Sequence, residues 1–600
     1  MVERQSTDLQ PPSAEVIKPQ SAPQVEDKPL PAKHGEAAGG GQDLSLILTG
    51  KKLAFVFISM MLAVLLVSLD QTILATALPR IASDFNSFDK QGWISSAFLL
   101  TNASFVLVFG QILRIYPAKF VLISTTALFE VGSIICGSSN GPIQLIFGRA
   151  IAGVGAAGIF TAMLQTLAQV TRLEDRPRLF ACFGVIFALA SVIGPLIGGA
   201  LTDHASWRWC FYINLPVGAV TLVACTLLLK PAPPLGADLS DRSARSLLRQ
   251  TGQLDWVGAV LALGGVSSLA LALQWGGNQK PWDDGAVIAC FVVAGVVATI
   301  LVFWERYLGE KAMTPVSVFS HGATIYAILA NGFFGRFALP LLSYYVPVFF
   351  QAARHHDATQ SGVDLLAFML ATVISIIISG RLVAYFGRYW HILVLGPIPG
   401  AIGGGLLYTV TPSTSTATVI GFQILCGVGV GSVMQHALFA CQATFKATPR
   451  LISQASALVQ FFQLLGGTIA LAIGQAALST QLKENFAEYA PTAPLETIEQ
   501  SPLAIWDLPE SEREGAVKAY VKSLNVVWVV VVPIYVLSMI SALFIKDISI
   551  KPPAKKKEDE EKKLESEPVK KDAEEETTTA IKLEEKSVAP EMAARAEGAV

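Results

Sequence analysis

Charge is scarce in this chain of 600 residues: 15% are Asp, Glu, Lys or Arg, where a soluble domain carries about 25%. The formal net charge of −2 gives no sign of a nucleic-acid partner. The seven cysteines (136, 182, 210, 225, 290, 426 and 441) form no CxxC pair and stand at no metal-ligand spacing to histidine, so they read as small buried residues. No GxxxxGK[ST] loop is present, which removes ATP-driven work by this chain. No HExxH or GxSxG constellation lies at membrane depth, so an enzyme would lack its machinery, and no cofactor or metal is expected. A cleavable leader is also missing, because the first apolar run starts near residue 53 and is too long for one.

Apolar residues make up 52% of the chain and the mean hydropathy is +0.52. They are concentrated between residues 51 and 547. Residues 1–50 are rich in Pro, Ser, Gln and Gly, and 548–600 in Lys and Glu; neither end can bury enough apolar surface to fold, so both read as disordered tails. A helix needs about 20 mostly apolar residues to cross a bilayer. Fourteen stretches meet that requirement: 53–77, 93–113, 119–138, 143–168, 179–201, 209–230, 254–274, 285–307, 322–350, 362–384, 391–410, 417–440, 454–478 and 524–546. Most connections are short; 231–253 and 480–523 are long and polar. Seventeen Lys and Arg residues crowd the connections on one side, Lys51, Arg172, Arg176 and Arg450 among them. The short connections on the other side hold Arg80, Lys90, Arg208, Lys280 and Arg354. That bias places both termini in the cytoplasm, with 480–523 extracellular.

Three glycine patterns recur in order. Gly110 in "FGQILRIYPAKF" matches Gly380 in "SGRLVAYFGRYW", Gly153 in "AGVGAAG" matches Gly427 in "CGVGVGS", and Gly194 in "VIGPLIGGA" matches Gly466 in "LLGGTIALA". The offsets (380 − 110, 427 − 153, 466 − 194) are 270, 274 and 272. A shared order and offset point to two parallel halves, 51–230 and 308–547, with the linker 231–253 and the helix pair 254–307 between them. Such halves are a transporter architecture, with the substrate path between them.

"LDQTILATALPRIASDF", "GRAIAGVGAAGIF", "ASVIGPLIGGAL" and "WRWCFYINLPVG" together resemble the major facilitator superfamily, in its fourteen-span drug:proton antiporter branch, and fungal toxin and multidrug exporters above all. The second stretch is similar to the fourth-helix motif RxxxGxGxA, and the third to the antiporter motif GxxxGPxxGG, with Ala190 at its first glycine and Gly194, Pro195, Gly198 and Gly199 kept. The inner-loop motif GxLxDxxGRK departs from the pattern: "GQILRIYPAK" has Arg114, Pro117 and Ala118 where the family has Asp, Gly and Arg. The resemblance implies an all-α polytopic membrane protein with the major facilitator fold: two parallel six-helix halves plus two extra central helices. It implies secondary active, proton-coupled export of a small amphipathic compound such as a toxin, secondary metabolite or drug. The alternative is import, or vacuolar uptake, of a siderophore, amino acid or similar solute. Protons, the small-molecule substrate and membrane lipid are the expected partners of a monomer in the cell membrane, a vacuolar or vesicle membrane being the other option.

Charges inside apolar spans need water or protein around them. Asp70 lies 17 residues into its span, roughly 26 Å at about 1.5 Å per residue, where it can face the central cavity or hydrogen-bond a neighbouring helix. Arg149 cannot release a proton but can hold a carboxylate ionised. Glu130 sits near the middle of a span, where burial favours its protonated form. These three are the candidate coupling and gating residues. Arg336 needs a partner, either a buried carboxylate or an anionic substrate. Phe333, Phe334, Phe337, Tyr344 and Tyr345 line an apolar cavity or are core or lipid-facing, and Gln435 and His436 are polar candidates for the same cavity. Gln165, Gln442, Gln460 and Gln463 are further polar residues in apolar spans.

Overall fold

Apolar runs of this length close their backbone hydrogen bonds internally only as helices, and helices account for all fourteen crossings. The computed structural model describes residues 47–85, 91–235, 243–277 and 280–550; the expected tails, over 1–46 and 551–600, lie outside the described residues. The first half contains α1 (Gly50–Asp84), α2 (Gln91–Ile115), α3 (Ala118–Gly137), α4 (Pro142–Val170), α5 (Arg176–His204), α6 (Trp209–Tyr212) and α7 (Asn214–Leu228). Then come α8 (Ala244–Gly252), α9 (Trp256–Trp275) and α10 (Gly285–Leu308). The second half contains α11 (Ala323–Arg354), α12 (Ala358–Asp364), α13 (Leu366–Phe386), α14 (Trp390–Leu395), α15 (Pro397–Leu407), α16 (Thr416–Val433), α17 (His436–Thr444), α18 (Ile452–Tyr489), α19 (Leu495–Gln500) and α20 (Glu510–Leu543). Two crossings break at proline. Pro216 cannot donate to Tyr212, where α6 ends, and Pro397 cannot donate to Leu393 within α14.

The long polar connections are more ordered than their composition suggests. Helix α18 runs on to Tyr489 and α20 begins at Glu510, so much of 480–523 is helical extension. The extensions have an apolar face, with Leu482, Phe486, Ala516 and Tyr520 all buried, and Asn485 donates to Ser523 Oγ at 2.9 Å. Their outward residues are polar, and that lowers the average and hides the face. Within 231–253, Ser243 caps α8 by accepting from the Ser246 amide at 3.2 Å.

In the first half α1 packs on α5 and α7, and α4 on α2 and α3; in the second, α11 packs on α18 and α20, and α16 on α13 and α15. The halves meet where α2 touches α18 and α5 touches α13. The repeated glycines occupy equivalent places in this arrangement. A Cβ on Gly153 would lie 2.4 Å from the Phe98 carbonyl of α2, and one on Gly427 2.5 Å from the Phe368 carbonyl of α13. Gly194 lets α5 approach Thr72 of α1, and Gly466 lets α18 approach Phe333 of α11. Gly110 meets Ala457 of α18, while Gly380 meets Pro177 of α5. The last pair binds the halves to each other, at the face where α1 begins (the near face). Helices α9 and α10, expected as two extra central helices, are central in sequence only. They pack on one another and lean on α2, with Val260, Val292 and Phe303 exposed, as lipid-facing helices would be.

Candidate functional site

A buried polar cluster occupies the part of the first half remote from the near face. Gly153 draws α4 onto α2, and Thr101 of α2 donates to the Ala150 carbonyl at 2.9 Å. Arg149, one turn before Gly153, is thereby held over the Phe98 ring, 4.4 Å from its centroid, with Nε donating to the Ile94 carbonyl at 3.4 Å. Its Nη1 meets Asp70 Oδ2 of α1 at 2.6 Å, and the two side chains are 2% and 1% exposed. Asn214, the first residue of α7, uses one amide nitrogen for two acceptors: Asp70 Oδ1 and Ser133 Oγ of α3, each at 3.2 Å. One turn below Ser133 stands Glu130, buried, with neither carboxyl oxygen hydrogen-bonded. It fits because Gly218 of α7 has no side chain; a Cβ there would lie 1.8 Å from Glu130 Oε1. Thus Asp70, Glu130 and Arg149 share one region, and Asp70 turns to α4 and α7 inside its own half instead of facing the seam. Asn214 and Ser133 escape a reading of the sequence; the only signal is an Asn at the start of an apolar span.

The departure from the inner-loop motif has a structural counterpart at the near face. Arg114 Nη1 donates to Gln454 Oε1 of α18 at 2.9 Å, and Gln454 Nε2 donates to the Met313 carbonyl at 3.0 Å. Gln111 donates to the Lys311 carbonyl at 3.0 Å and accepts from the Asp255 amide at 3.2 Å. On α5, Arg176 Nη1 donates to Gln442 Oε1 of α17 at 3.1 Å, and its Nη2 to the Ala168 carbonyl at 2.7 Å. Two arginines of the first half therefore reach two glutamines of the second. The second copy of the loop keeps an ion pair: Gly387 ends α13 with φ of +72°, and Arg388 meets Asp547 at 2.7 Å.

The other candidates separate by environment. Arg336 is half-buried on α11 and enters no ion pair or hydrogen bond among the described residues. Of the two partners expected for it, the buried carboxylate is absent among the described residues, and its Cζ lies 5.3 Å from the ring of Phe187 on α5. Phe333 and Phe334 are half-buried and meet edge to face. Phe337 and Tyr345 belong to the core of the second half, Tyr345 donating to Gln475 Oε1 at 3.4 Å, whereas Tyr344 is 55% exposed. Gln435 marks the break between α16 and α17, and His436 beside it is buried with Nδ1 unpartnered. Gln463 donates to the Met434 carbonyl at 3.1 Å, while the carbonyl oxygens of Gln165 and Gln460 are buried without partners.

Of the antiporter motif, Gly194 packs closely on α1, and the Gly198 carbonyl accepts from Thr202 Oγ1 at 2.6 Å. Gly199, expected to bring backbones together, has nothing within 4 Å of a built Cβ. Pro195 lies within α5, and its side chain is outside the described residues. The letters Gly137-Ser-Ser-Asn-Gly141 do spell GxSxG, at the end of α3, but Ser139 Oγ there donates to the Cys136 carbonyl at 2.8 Å and has no histidine partner among the described residues.

Residues 60–471 match the family model of the Major Facilitator Superfamily. The MFS-type transporter astH of Aspergillus oryzae is 39% identical, over 83% of this chain and 87% of its own length. The efflux pump aflT of Aspergillus parasiticus is 39% identical, over 73% and 84%. The rubrofusarin-specific efflux pump aurT of Gibberella zeae is 38% identical, over 73% and 79%.

Proposed function

This chain belongs to the Major Facilitator Superfamily, and from that premise we propose that it is a proton-coupled exporter of small amphipathic organic molecules. It is a multi-pass membrane transporter and not an enzyme. Export is supported by relatives named as efflux pumps and by the GPxxGG segment of α5. Coupling to protons rests on one observation: the Asp70–Arg149 pair with an unpartnered Glu130 beside it.

The chemistry runs as follows. Arg149 keeps its proton, so the carboxyls must carry the one that moves. A proton placed on Asp70 leaves Arg149 as a buried charge without its counter-ion, which is costly. Proton uptake therefore breaks the contact between α1 and α4 and lets the helices shift. Glu130, buried one turn from Ser133 with neither oxygen hydrogen-bonded among the described residues, is the second carboxyl in the cluster available to carry the proton. The charge bias of the connections supports a near face on the cytoplasmic side of the cell membrane, and in that orientation the cluster lies in the outer part of the bilayer, where entering protons arrive first. Of the GPxxGG residues Gly194, Pro195, Gly198 and Gly199, it is Gly194, packed on Thr72 of α1, that holds α5 in the position this shift works against.

Cells expressing the protein should retain less of a lipophilic dye than cells without it, and a protonophore should remove the difference. If acidifying the medium instead drives the dye inward, the protein is an importer and the export reading falls.

A further inference from the structure

Arg336 is a positive charge in the middle of the membrane, with no ion-pair partner among the described residues. It stands 13 residues after Ala323 at the start of α11, roughly 20 Å along the helix at about 1.5 Å per residue. Phe187 stands 11 residues after Arg176 on α5, at roughly 16 Å by the same rise. The two come from opposite halves and face each other across the seam, with Cζ 5.3 Å from the ring centroid. Between them and the near face the seam is shut: a Cβ on Gly184 would lie 2.5 Å from Ile376, and one on Gly380 2.7 Å from the Pro177 carbonyl. Arg336 is of intermediate exposure as a residue and makes no hydrogen bond among the described residues, so the donors of its planar fork are uncommitted and available to a ligand. Ionisable side chains kept within membrane spans mark substrate and ion pathways. A proton path does not explain this one, because guanidinium does not release its proton and no carboxylate among the described residues pairs with it.

We propose that Arg336 and Phe187 form an anion-recognition site and that the transported molecules include planar aromatic acids. A carboxylate meets the guanidinium fork with two parallel hydrogen bonds, while an aromatic ring of the same molecule packs against Phe187. The site lies just beyond the closed part of the seam, where both halves contact the ligand and the ligand thereby senses their relative position. Outward movement of an anion against inward movement of a proton carries positive charge inward, so an inside-negative potential assists it. This inference rests on the export reading for direction and on the Arg336–Phe187 geometry for substrate class.

The test uses the purified full-length protein and two xanthene dyes, fluorescein as the carboxylate and rhodamine 123 as a cationic ester, with binding followed by fluorescence anisotropy. The wild type should bind fluorescein about tenfold or more tighter than rhodamine 123. Arg336→Gln should weaken fluorescein by about tenfold or more and should not weaken rhodamine 123, whose positive charge the guanidinium repels, with Arg336→Lys intermediate for fluorescein because ammonium lacks the fork. Phe187→Leu, which keeps the charge, should weaken fluorescein by a smaller factor and guards against a folding defect in the arginine variants. Equal fluorescein binding by Arg336→Gln and wild type overturns the proposal, as does a wild type that prefers rhodamine 123. Dye movement measured separately distinguishes the two readings. Arg336-dependent binding without proton-driven efflux sinks the export reading alone, and proton-driven efflux with Arg336-independent binding sinks the anion site alone.

Discussion

Asp70→Asn and Arg149→Gln should each abolish transport and each destabilise the protein by about 3–5 kcal/mol, while the double variant should recover most of the stability and none of the transport. The contrast follows from the geometry of the pair, 2.6 Å apart and almost wholly enclosed. Removing either partner strands the other as a buried charge. Removing both leaves two amides that can still hydrogen-bond each other and Asn214. Arg149→Lys should retain part of the transport, since the charge survives without the fork that reaches Asp70 and the Ile94 carbonyl together. Unfolding of the purified protein gives the stability arm, and dye efflux the functional arm. A double variant as unstable as the singles would show that the pair does not act as a unit. A double variant that transports would reduce it to packing.

The second large effect concerns the near face. Gly110→Cys combined with Ala457→Cys should form a disulfide under mild oxidation, stop transport almost completely, and regain it on reduction. A Cβ on Gly110 would lie 2.8 Å from that of Ala457, and disulfides need about 3.5–4.5 Å, a separation reached by a small outward shift. The same level of the seam holds the Arg114–Gln454 bond and, on α5, the Arg176–Gln442 bond. A substrate arriving from this face must part α2 from α18, and a covalent link forbids that. Wild type under the same oxidant is the control, because only Cys182 among its described cysteines is exposed. Transport that continues with the link formed would mean that this contact stays closed throughout the cycle.

Long-range order in this chain is legible wherever a signal depends on length or small size. Twenty apolar residues specify a crossing whatever their neighbours are, so the fourteen spans could be read directly. Glycines that allow helices to touch also leave a trace, because no other residue would serve at Gly153 and Gly427 or at Gly194 and Gly466. Pairing leaves none. Asp70 and Arg149 are separated by 79 positions, and periodicity alone cannot say that α1 and α4 bring them together or that Asp70 turns away from the seam. Asn214 and Ser133 are ordinary polar residues until Asp70 and Glu130 are placed beside them. The extensions of α18 and α20 were hidden by their solvent-facing residues, and Gly199 carries the motif without the close contact the motif suggests. Arg336 read as a charge in need of a carboxylate or an anionic substrate; in the fold its guanidinium lies against the face of an aromatic ring from the other half.

Proton-driven exchange is the central claim, and purified protein in liposomes tests it most directly. With protein oriented so that the near face is outside and the lumen is acidified, dye uptake and lumenal alkalinisation should begin together. A protonophore, which by itself discharges the acidic lumen, should stop dye uptake, and uptake and the dye-dependent alkalinisation should both be absent with Asp70→Asn. Glu130→Gln should lose the proton flux even though the Asp70–Arg149 pair remains. Dye uptake that proceeds at the same rate without a pH difference, or that continues in Asp70→Asn with no proton movement, would contradict the account.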